Sequence, residues 1–299
     1  MKYSTIFGTG AYFLISFSLI SSFLPDKLLA ETQIKNQLEL TNETPAFQGK
    51  RLTEGDLSIE IDFQPYNFES NDNNLKYRLF YQGKEKLKAS KETFFSQVYF
   101  QPSEKDNPYP YIVIETYSGG AHCCTSFYIY TWLDGEFVET SIENLNSGGG
   151  VFKDLKGDNS LQFVTNDNSF LYAFSSYAGS YPPSLIYDVE KGELIENTRN
   201  YPNYLRETAD NMLTALQEGI ANDYEVNGVL AGYVAQKILL DEYEEGWQFM
   251  LENFDRNDTT GLTIYNAELE EVGQHPDFPT ALKAFLQERG YVKYPHSLR

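Results

Sequence analysis

The sequence has few of the residues that build metal centres and covalent frameworks. Its 299 residues include only two cysteines and three histidines. Two cysteines cannot cross-link a chain of this length, so the fold must depend on the burial of apolar surface. A structural zinc site usually takes four ligands drawn from cysteine and histidine, and this composition does not favour one.

Basic residues are also scarce. The chain has 23 lysines and arginines against 43 aspartates and glutamates, a formal net charge of −20. A surface of this sign repels phosphate backbones and anionic lipid headgroups, so we expect neither nucleic acid nor a membrane surface as a partner. The expected partner is a ligand or protein of unspecified type. Cations fit the charge, although acidity that merely keeps an exported protein soluble is the simpler interpretation.

The N-terminus has the pattern of a secretory signal. Lys2 precedes the uncharged stretch Ile6–Leu24, and Ala30 supplies a small residue at a cleavage point. We therefore predict a signal peptide over residues 1–30 and a periplasmic or secreted protein. The apolar stretch is long for a cleaved signal, so an uncleaved membrane anchor is the alternative.

Beyond residue 30, the residue composition and periodicity change twice. Residues 31–55 are polar and predict a flexible leader. Residues 56–200 contain short aromatic and β-branched runs divided by Gly, Pro, Asn and Asp, a pattern typical of strands. Residues 201–299 have helical periodicity. The prediction is an α+β protein with a β-rich region followed by a helical C-terminal region.

A weak repeat runs through the β-rich region. The stretches YRLFYQGKEKLK, YIYTWLDGEFVE and LIYDVEKGELIE each join an aromatic or aliphatic strand to a second strand through Gly83, Gly135 or Gly192. These glycines are 52 and 57 residues apart. A hairpin recurring at this distance predicts a propeller-like region or a stack of hairpins.

Three helical stretches are expected in the C-terminal region. The first carries one apolar stripe, a second runs from about 226 through 240 and continues or restarts through Trp247, and a third covers Pro279–Arg289 and ends at Gly290. We interpret their apolar faces as core. The stripe of the first helix consists of Leu205, Ala209, Met212, Leu213, Leu216 and Ile220.

The stretch VFKDLKGDNSLQFVTNDNSFLYAF, Val151–Phe174, resembles the FG-GAP type of β-propeller blade found in integrin-like proteins. That resemblance implies a blade whose acidic loop binds calcium, with Asp154 and Asp158 at the first and fifth loop positions. Lys156 occupies the third position, where its ammonium group opposes a cation. We therefore favour a structural turn with no cofactor, and calcium bound by Asp154 and Asp158 is the alternative.

Both cysteines lie in one stretch, YSGGAHCCTSFYIY. Gly119, Gly120, His122, Cys123 and Cys124 form the candidate functional or redox site. An extended segment would place His122 and Cys124 on one face and Cys123 on the other. Four interpretations stay open: a vicinal disulfide that forces a tight turn, two buried thiols, a soft-metal site, and a catalytic cysteine with a histidine base.

These patterns favour a binding function. No convincing catalytic set occurs, and aromatic-rich strands are typical of contact surfaces, so we predict an exported, acidic, non-catalytic binding or surface-exposed module. The alternative is a cysteine- and histidine-dependent hydrolase, or a thiol-redox or metal-binding protein, centred on the GGAHCC stretch.

Overall fold

The protein is α+β, as predicted. The computed structural model describes residues 36–70, 72–103, 107–146, 148–158 and 160–292. The predicted signal peptide lies outside these ranges. The strands and helices are β1 Gln37–Leu40, β2 Phe47–Glu54, β3 Leu57–Phe63, β4 Leu75–Tyr81, β5 Lys84–Lys91, β6 Phe95–Gln101, β7 Tyr111–Tyr117, β8 Cys123–Leu133, β9 Glu136–Asn146, β10 Val151–Lys153, β11 Gln162–Asn166, β12 Ser184–Glu190, β13 Glu193–Glu196, α1 Pro202–Ala221, α2 Asn227–Leu239, α3 Tyr243–Asn253, β14 Thr263–Tyr265, β15 Glu271–Gln274 and α4 Phe278–Glu288.

The β region consists of three antiparallel sheets, in which neighbouring strands are consecutive in the chain except that β1 pairs with β6. Their orders are β2-β3-β4-β5, β1-β6-β7-β8-β9 and β10-β11-β12-β13. The three predicted hairpins are confirmed, one in each sheet. Gly83, Gly135 and Gly192 all have positive φ, and so do the residues before them, which matches the two-residue turns that suit the twist of paired strands.

The flexible leader predicted for residues 31–55 is wrong from Gln37 onward. Strand β1 pairs with β6, and β2 pairs with β3. Leu38 and Leu40 alternate with exposed residues and are buried, so they add to the core even though the segment is short and polar on average. The average polarity of the segment hid the alternation of buried and exposed residues that is typical of a strand.

The middle sheet is covered on both faces. Its alternate side chains pack against the β2–β5 sheet on one side and against the β10–β13 sheet on the other. This double burial explains why β7 reads as the almost continuous apolar run YIVIETY. Tyr77 and Tyr130 share a hydroxyl hydrogen bond of 2.7 Å across the first interface.

The helical predictions are confirmed with small shifts in their ends, and the second stretch restarts as α3. Asp277 caps α4 by accepting from the Thr280 amide, and Gly290 has a φ of 78° just beyond its end. The predicted stripe of α1 is wrong at its last member, because Ile220 is 56% exposed where α1 ends. Four members are buried in α1: Leu205, Ala209, Met212 and Leu216.

Candidate functional site

The turn between β7 and β8 is held by a compact hydrogen-bond network. The Ser118 amide donates to the Cys124 carbonyl at 3.0 Å, and the Cys124 amide donates to Ser118 Oγ at 2.7 Å. Ser118 Oγ in turn donates to the Cys123 carbonyl at 2.9 Å. The Tyr117 hydroxyl donates to the Gly120 carbonyl. One serine side chain therefore ties both ends of the turn together.

The two glycines are required by close approaches. Gly119 has a φ of 86°, and a Cβ there would lie 2.9 Å from Cγ of Phe94. A Cβ on Gly120 would collide with the Cys123 carbonyl oxygen. A positive φ and backbone contact at van der Waals distance both favour glycine, so the sequence signal GG reflects the shape of this turn.

The two cysteines lie at the end of the turn and are half-buried. The structure joins Cys123 and Cys124 through their sulfur atoms, with a cis peptide bond between them. Strand β8 begins at Cys123, and its register with β9 shifts between Cys123 and Thr125. His122 precedes the strand, and a register irregularity follows Cys123, so the alternation of faces expected for a regular extended segment stays a prediction for His122 and Cys124.

His122 brings a second segment to the turn. Its exposed ring lies 4.0 Å from the ring of Tyr177, centroid to centroid, at an interplanar angle of 31°. Tyr172 lies edge-on at 6.2 Å. We call His122, Tyr172 and Tyr177 the aromatic platform. Sequence reasoning missed both tyrosines, which stand about fifty residues downstream of the histidine.

Tyr172 adopts an unusual backbone conformation. Its φ is 61°, and its side chain is 56% exposed. A bulky residue in the left-handed region is uncommon and is typical of sites where the surrounding structure imposes the conformation. The Tyr172 amide donates to Ser180 Oγ at 3.0 Å, which helps to fix this backbone.

Helix α2 supports the segment that carries the platform. Gly228 lies against Ser175 and Gly179, and Gly232 lies against the Tyr181 carbonyl, so closely that a Cβ at either glycine would collide with those atoms. The 175–181 segment thus rests directly on the helix backbone. The β region supplies His122, and the helical region holds the tyrosines in reach of it.

A second aromatic cluster borders the turn through Phe94. Tyr66 and Phe68 contact each other edge-on at 4.9 Å, and both lie within 6.4 Å of Phe94. Phe68 is 79% exposed. Because Gly119 packs on Phe94, the turn lies between this cluster and the aromatic platform.

In the acidic loop around Asp154, the carboxylates accept hydrogen bonds from other groups of the same loop. Asp154 Oδ1 accepts from the amides of Gly157 and Asp158, and Asp158 Oδ1 accepts from Ser160. Hydrogen bonds from Ser160 lower the pKa of Asp158. Such bonds are what a structural turn requires.

Lys156, at the third loop position, forms an ion pair outside the loop. Its ammonium donates to the buried Asp188 carboxylate at 2.9 Å. Burial opposes ionisation of Asp188, but hydrogen bonds from Tyr201, Lys156 and Asn197 outweigh it and lower the Asp188 pKa. Across the part of the chain that the structure describes, no group of three or more His, Cys, Asp or Glu is placed to hold a metal ion. The structural turn without a cofactor stays the prediction, and calcium bound by Asp154 and Asp158 stays its alternative.

Comparison with known proteins relates mainly the C-terminal region to a family. Residues 205–290 match the family described as the sll0997 C-terminal domain. A protein of Synechocystis sp. named "Probable thylakoid lumen protein sll0997" is 39% identical over 201 residues, which are 64% of this chain and 59% of that protein. The family match spans α1 to α4, the region that supports the 175–181 segment.

A second relative is more distant. The "Uncharacterized protein y4bJ" of Sinorhizobium fredii is 32% identical over 192 residues, 61% of this chain and 30% of that protein. The chain thus spans less than two thirds of the length of either relative. No solved structure matches the chain significantly. Among the described residues, none of the helices is both long and apolar enough to cross a membrane.

Proposed function

We propose that the protein is an exported, acidic, non-catalytic binding protein that contacts its ligand through the aromatic platform and the adjoining Ser118–Cys124 turn. Two observations support export: the signal pattern of residues 1–30, and the printed name of the Synechocystis relative, which places that protein in the thylakoid lumen. The net charge of −20 suits a soluble exported protein.

The contact between exposed His122 and half-buried Tyr177 carries the proposal. Rings that lie near the surface without being covered by the core present flat, weakly polar faces to a ligand. Tyr172 extends this surface, and its left-handed backbone, bonded to Ser180 Oγ, supports a defined position for the residue. A flat ligand face, such as a sugar ring or an aromatic amide, is the chemistry that stacks on such a surface.

The bridged cysteines favour binding over catalysis. A thiolate is the nucleophile in cysteine enzymes, and a sulfur atom in a disulfide cannot take that role. In an extracytoplasmic compartment the pair is expected to stay oxidised. Thiol-redox exchange is the second candidate function, and the half-buried position of the sulfurs next to exposed His122 favours it over a hydrolase.

Histidine-selective NMR tests the proposal directly. The chain has three histidines, so labelled protein gives three imidazole signals, and His275 serves as an internal control. Titration with maltohexaose and with N-acetyl-tryptophanamide should shift the His122 signal and leave the His275 signal in place. Tyr177→Ala should abolish the shift, and Tyr265→Ala, at an exposed tyrosine of β14 that is not part of the platform, should not.

Two outcomes would contradict this assignment. If neither probe shifts the His122 signal at millimolar concentration, the platform is not a site for flat neutral ligands. If protein with alkylated cysteines loses a disulfide reductase or isomerase activity that the native protein has, the redox function replaces the binding function.

A further inference from the structure

A groove opens between the 175–181 segment and the end of α1. Its volume is about 480 Å³, a size that accommodates a small organic molecule. Val229 and Ala215 contribute apolar surface, and backbone of the loop after α1 forms one wall. The lining residues that matter here are Ser176, Tyr181, Asp223, Tyr224 and Glu225.

Two tyrosine rings border the groove. Tyr224 is 68% exposed and Tyr181 is 36% exposed, although the chain buries many of its other tyrosines in cores. The position of Tyr224 is fixed by the end of α1, where its amide donates to the Gly219 carbonyl at 2.9 Å. Asp223, with a φ of 58°, makes the left-handed residue of that helix end.

The same wall carries two carboxylates. Asp223 and Glu225 flank Tyr224 in sequence, and both line the groove. Glu225 Oε2 accepts from the Ser176 amide at 2.8 Å. Hydrogen bonds from the side chain and the amide of Ser176 lower the pKa of Glu225 and so favour the ionised carboxylate. The described lining includes neither lysine nor arginine.

We propose that this groove binds a small organic cation, an ammonium or guanidinium compound, between the rings of Tyr181 and Tyr224 and the carboxylates of Asp223 and Glu225. Aromatic faces attract a desolvated organic cation, and a carboxylate nearby adds charge complementarity. Two carboxylates beside apolar surface provide too few oxygens for a calcium ion. This site does not depend on the aromatic platform having the function proposed above.

A pair of isosteric probes separates charge from shape. Choline and 3,3-dimethyl-1-butanol have nearly the same volume, but only choline is charged. Isothermal titration calorimetry at about 0.15 M salt, which screens the long-range field of an acidic protein, should show choline binding at least about fivefold more tightly than the neutral alcohol.

Variants identify the groups responsible. Tyr224→Ala should weaken choline binding about fivefold, whereas Tyr224→Phe, which keeps the ring, should retain it. Glu225→Gln preserves an acceptor for the Ser176 amide and should also weaken binding. Tyr265→Ala, an exposed tyrosine outside the groove, is the matched control and should have no effect. Thermal melts of each variant verify that it is folded.

Three results would overturn the proposal. Equal affinity for the alcohol would make the groove a general apolar cleft. Choline binding that is indifferent to Tyr224→Ala would reflect only the acidic surface. The absence of detectable choline and guanidinium binding to the folded wild-type protein at 10 mM probe, a concentration at which affinities down to about the millimolar range register as heat, would exclude the site.

Discussion

The sheets of the β region pack on one another through their side chains, whereas helix α2 packs on the 175–181 segment through its backbone. In the β region, apolar side chains from facing sheets fill two interfaces around the middle sheet. In the helical region, glycines let a loop lie directly on a buried helix. Side-chain packing tolerates exchange among apolar residues, but a backbone contact tolerates no added atom. The candidate site combines a turn from the first region with a segment held by the second.

The largest expected effect therefore belongs to Gly232. Alanine is the better helix former by about 1 kcal/mol, so Gly232→Ala in an exposed helix would stabilise the protein. Here the new Cβ collides with the Tyr181 carbonyl, and α2 is buried along nearly its whole length. We expect a net loss of about 3 kcal/mol in the free energy of unfolding, measured by urea denaturation.

A matched helical glycine provides the control. At Gly219, in α1, a Cβ would lie 3.3 Å from a methyl group of Val226 and 4.0 Å from the Glu225 carbonyl oxygen, with no overlap of the kind found at Gly232. Gly219→Ala should be close to neutral. If both variants lose similar stability, the contact at Gly232 is not the determining feature. In folded Gly232→Ala protein, the His122 NMR signal should also move, since Tyr177 lies on the displaced segment.

The second prediction contrasts the buried charges of the two regions. In the helical region, buried Lys237 is paired with Glu242 and Glu245. In the middle β sheet, burial alone raises the pKa of Glu115 to about 7. The pKa of Glu115 is higher in the folded state than in the unfolded chain. As the pH rises from about 4.5 to 7, the unfolded chain therefore loses the carboxyl proton while the folded protein keeps it. The free energy of unfolding falls across that pH range.

Glu115→Gln should remove this dependence. The variant should gain about 2 kcal/mol relative to wild type at pH 8, and little or nothing at pH 4.5. Urea denaturation at the two pH values measures the difference. Glu54→Gln, on the exposed strand β2, is the control. If the free energy of unfolding differs between wild type and Glu115→Gln by the same amount at both pH values, Glu115 does not titrate between them.

Local patterns predicted most of the fold. The three hairpins followed from glycines at turns that need positive φ, and the helices from a period of 3.6; both signals lie within about twenty residues. Strand β1 was missed because its four residues are too few for an alternating pattern to be recognised. Its pairing with β6, about sixty residues away, decides its structure.

Half of the candidate site was beyond sequence reasoning. The GG pair and adjacent cysteines indicated a tight turn locally. The stack of His122 on Tyr177 depends on where α2 places a loop, which is a tertiary property with no periodicity to reveal it. The only available signal was the loop composition SSYAGSYPP, where tyrosines stand among turn residues instead of in a strand or helix pattern.

The third prediction concerns the contact between the β region and the start of the helical region. Asp188 on β12 accepts from Lys156 and from Tyr201, the residue just before α1. Lys156→Met should cost about 1 kcal/mol in urea denaturation, a modest amount because the lysine side chain is 44% exposed and Tyr201 and Asn197 still bond the carboxylate. Lys283→Met, at an exposed position of α4, should change nothing.

The same loop provides a calcium test. A ligand that binds only the folded state raises the melting temperature by mass action. Because Lys156 faces Asp188 and the aspartates bond the loop backbone, we expect millimolar calcium to leave the melting temperature of wild type unchanged. An upward shift that disappears in Asp158→Ala would restore the calcium interpretation implied by the resemblance to FG-GAP blades.

Reducing the cysteine pair is expected to have only a small effect on stability. If Cys123 and Cys124 form a disulfide in solution, the intact protein weighs about two mass units less than its reduced form. Adjacent cysteines close almost no loop, so the chain-entropy contribution that makes most disulfides stabilising is missing. The Ser118 bonds to the Cys123 carbonyl and the Cys124 amide do not involve sulfur and should outlast reduction. We therefore expect reduction to cost less than about 1 kcal/mol in urea denaturation.

Ser118→Ala separates the hydrogen bonds of the turn from its disulfide. This variant removes the hydroxyl that joins both ends of the turn, so it should cost about 1 kcal/mol and shift the His122 signal more than reduction does. The double variant Cys123→Ser with Cys124→Ser should behave like reduced wild type. Two readily alkylated thiols in protein purified without reductant would refute the bridge. Unfolding on mild reduction would show instead that the bridge, and not Ser118, holds the turn against the middle sheet.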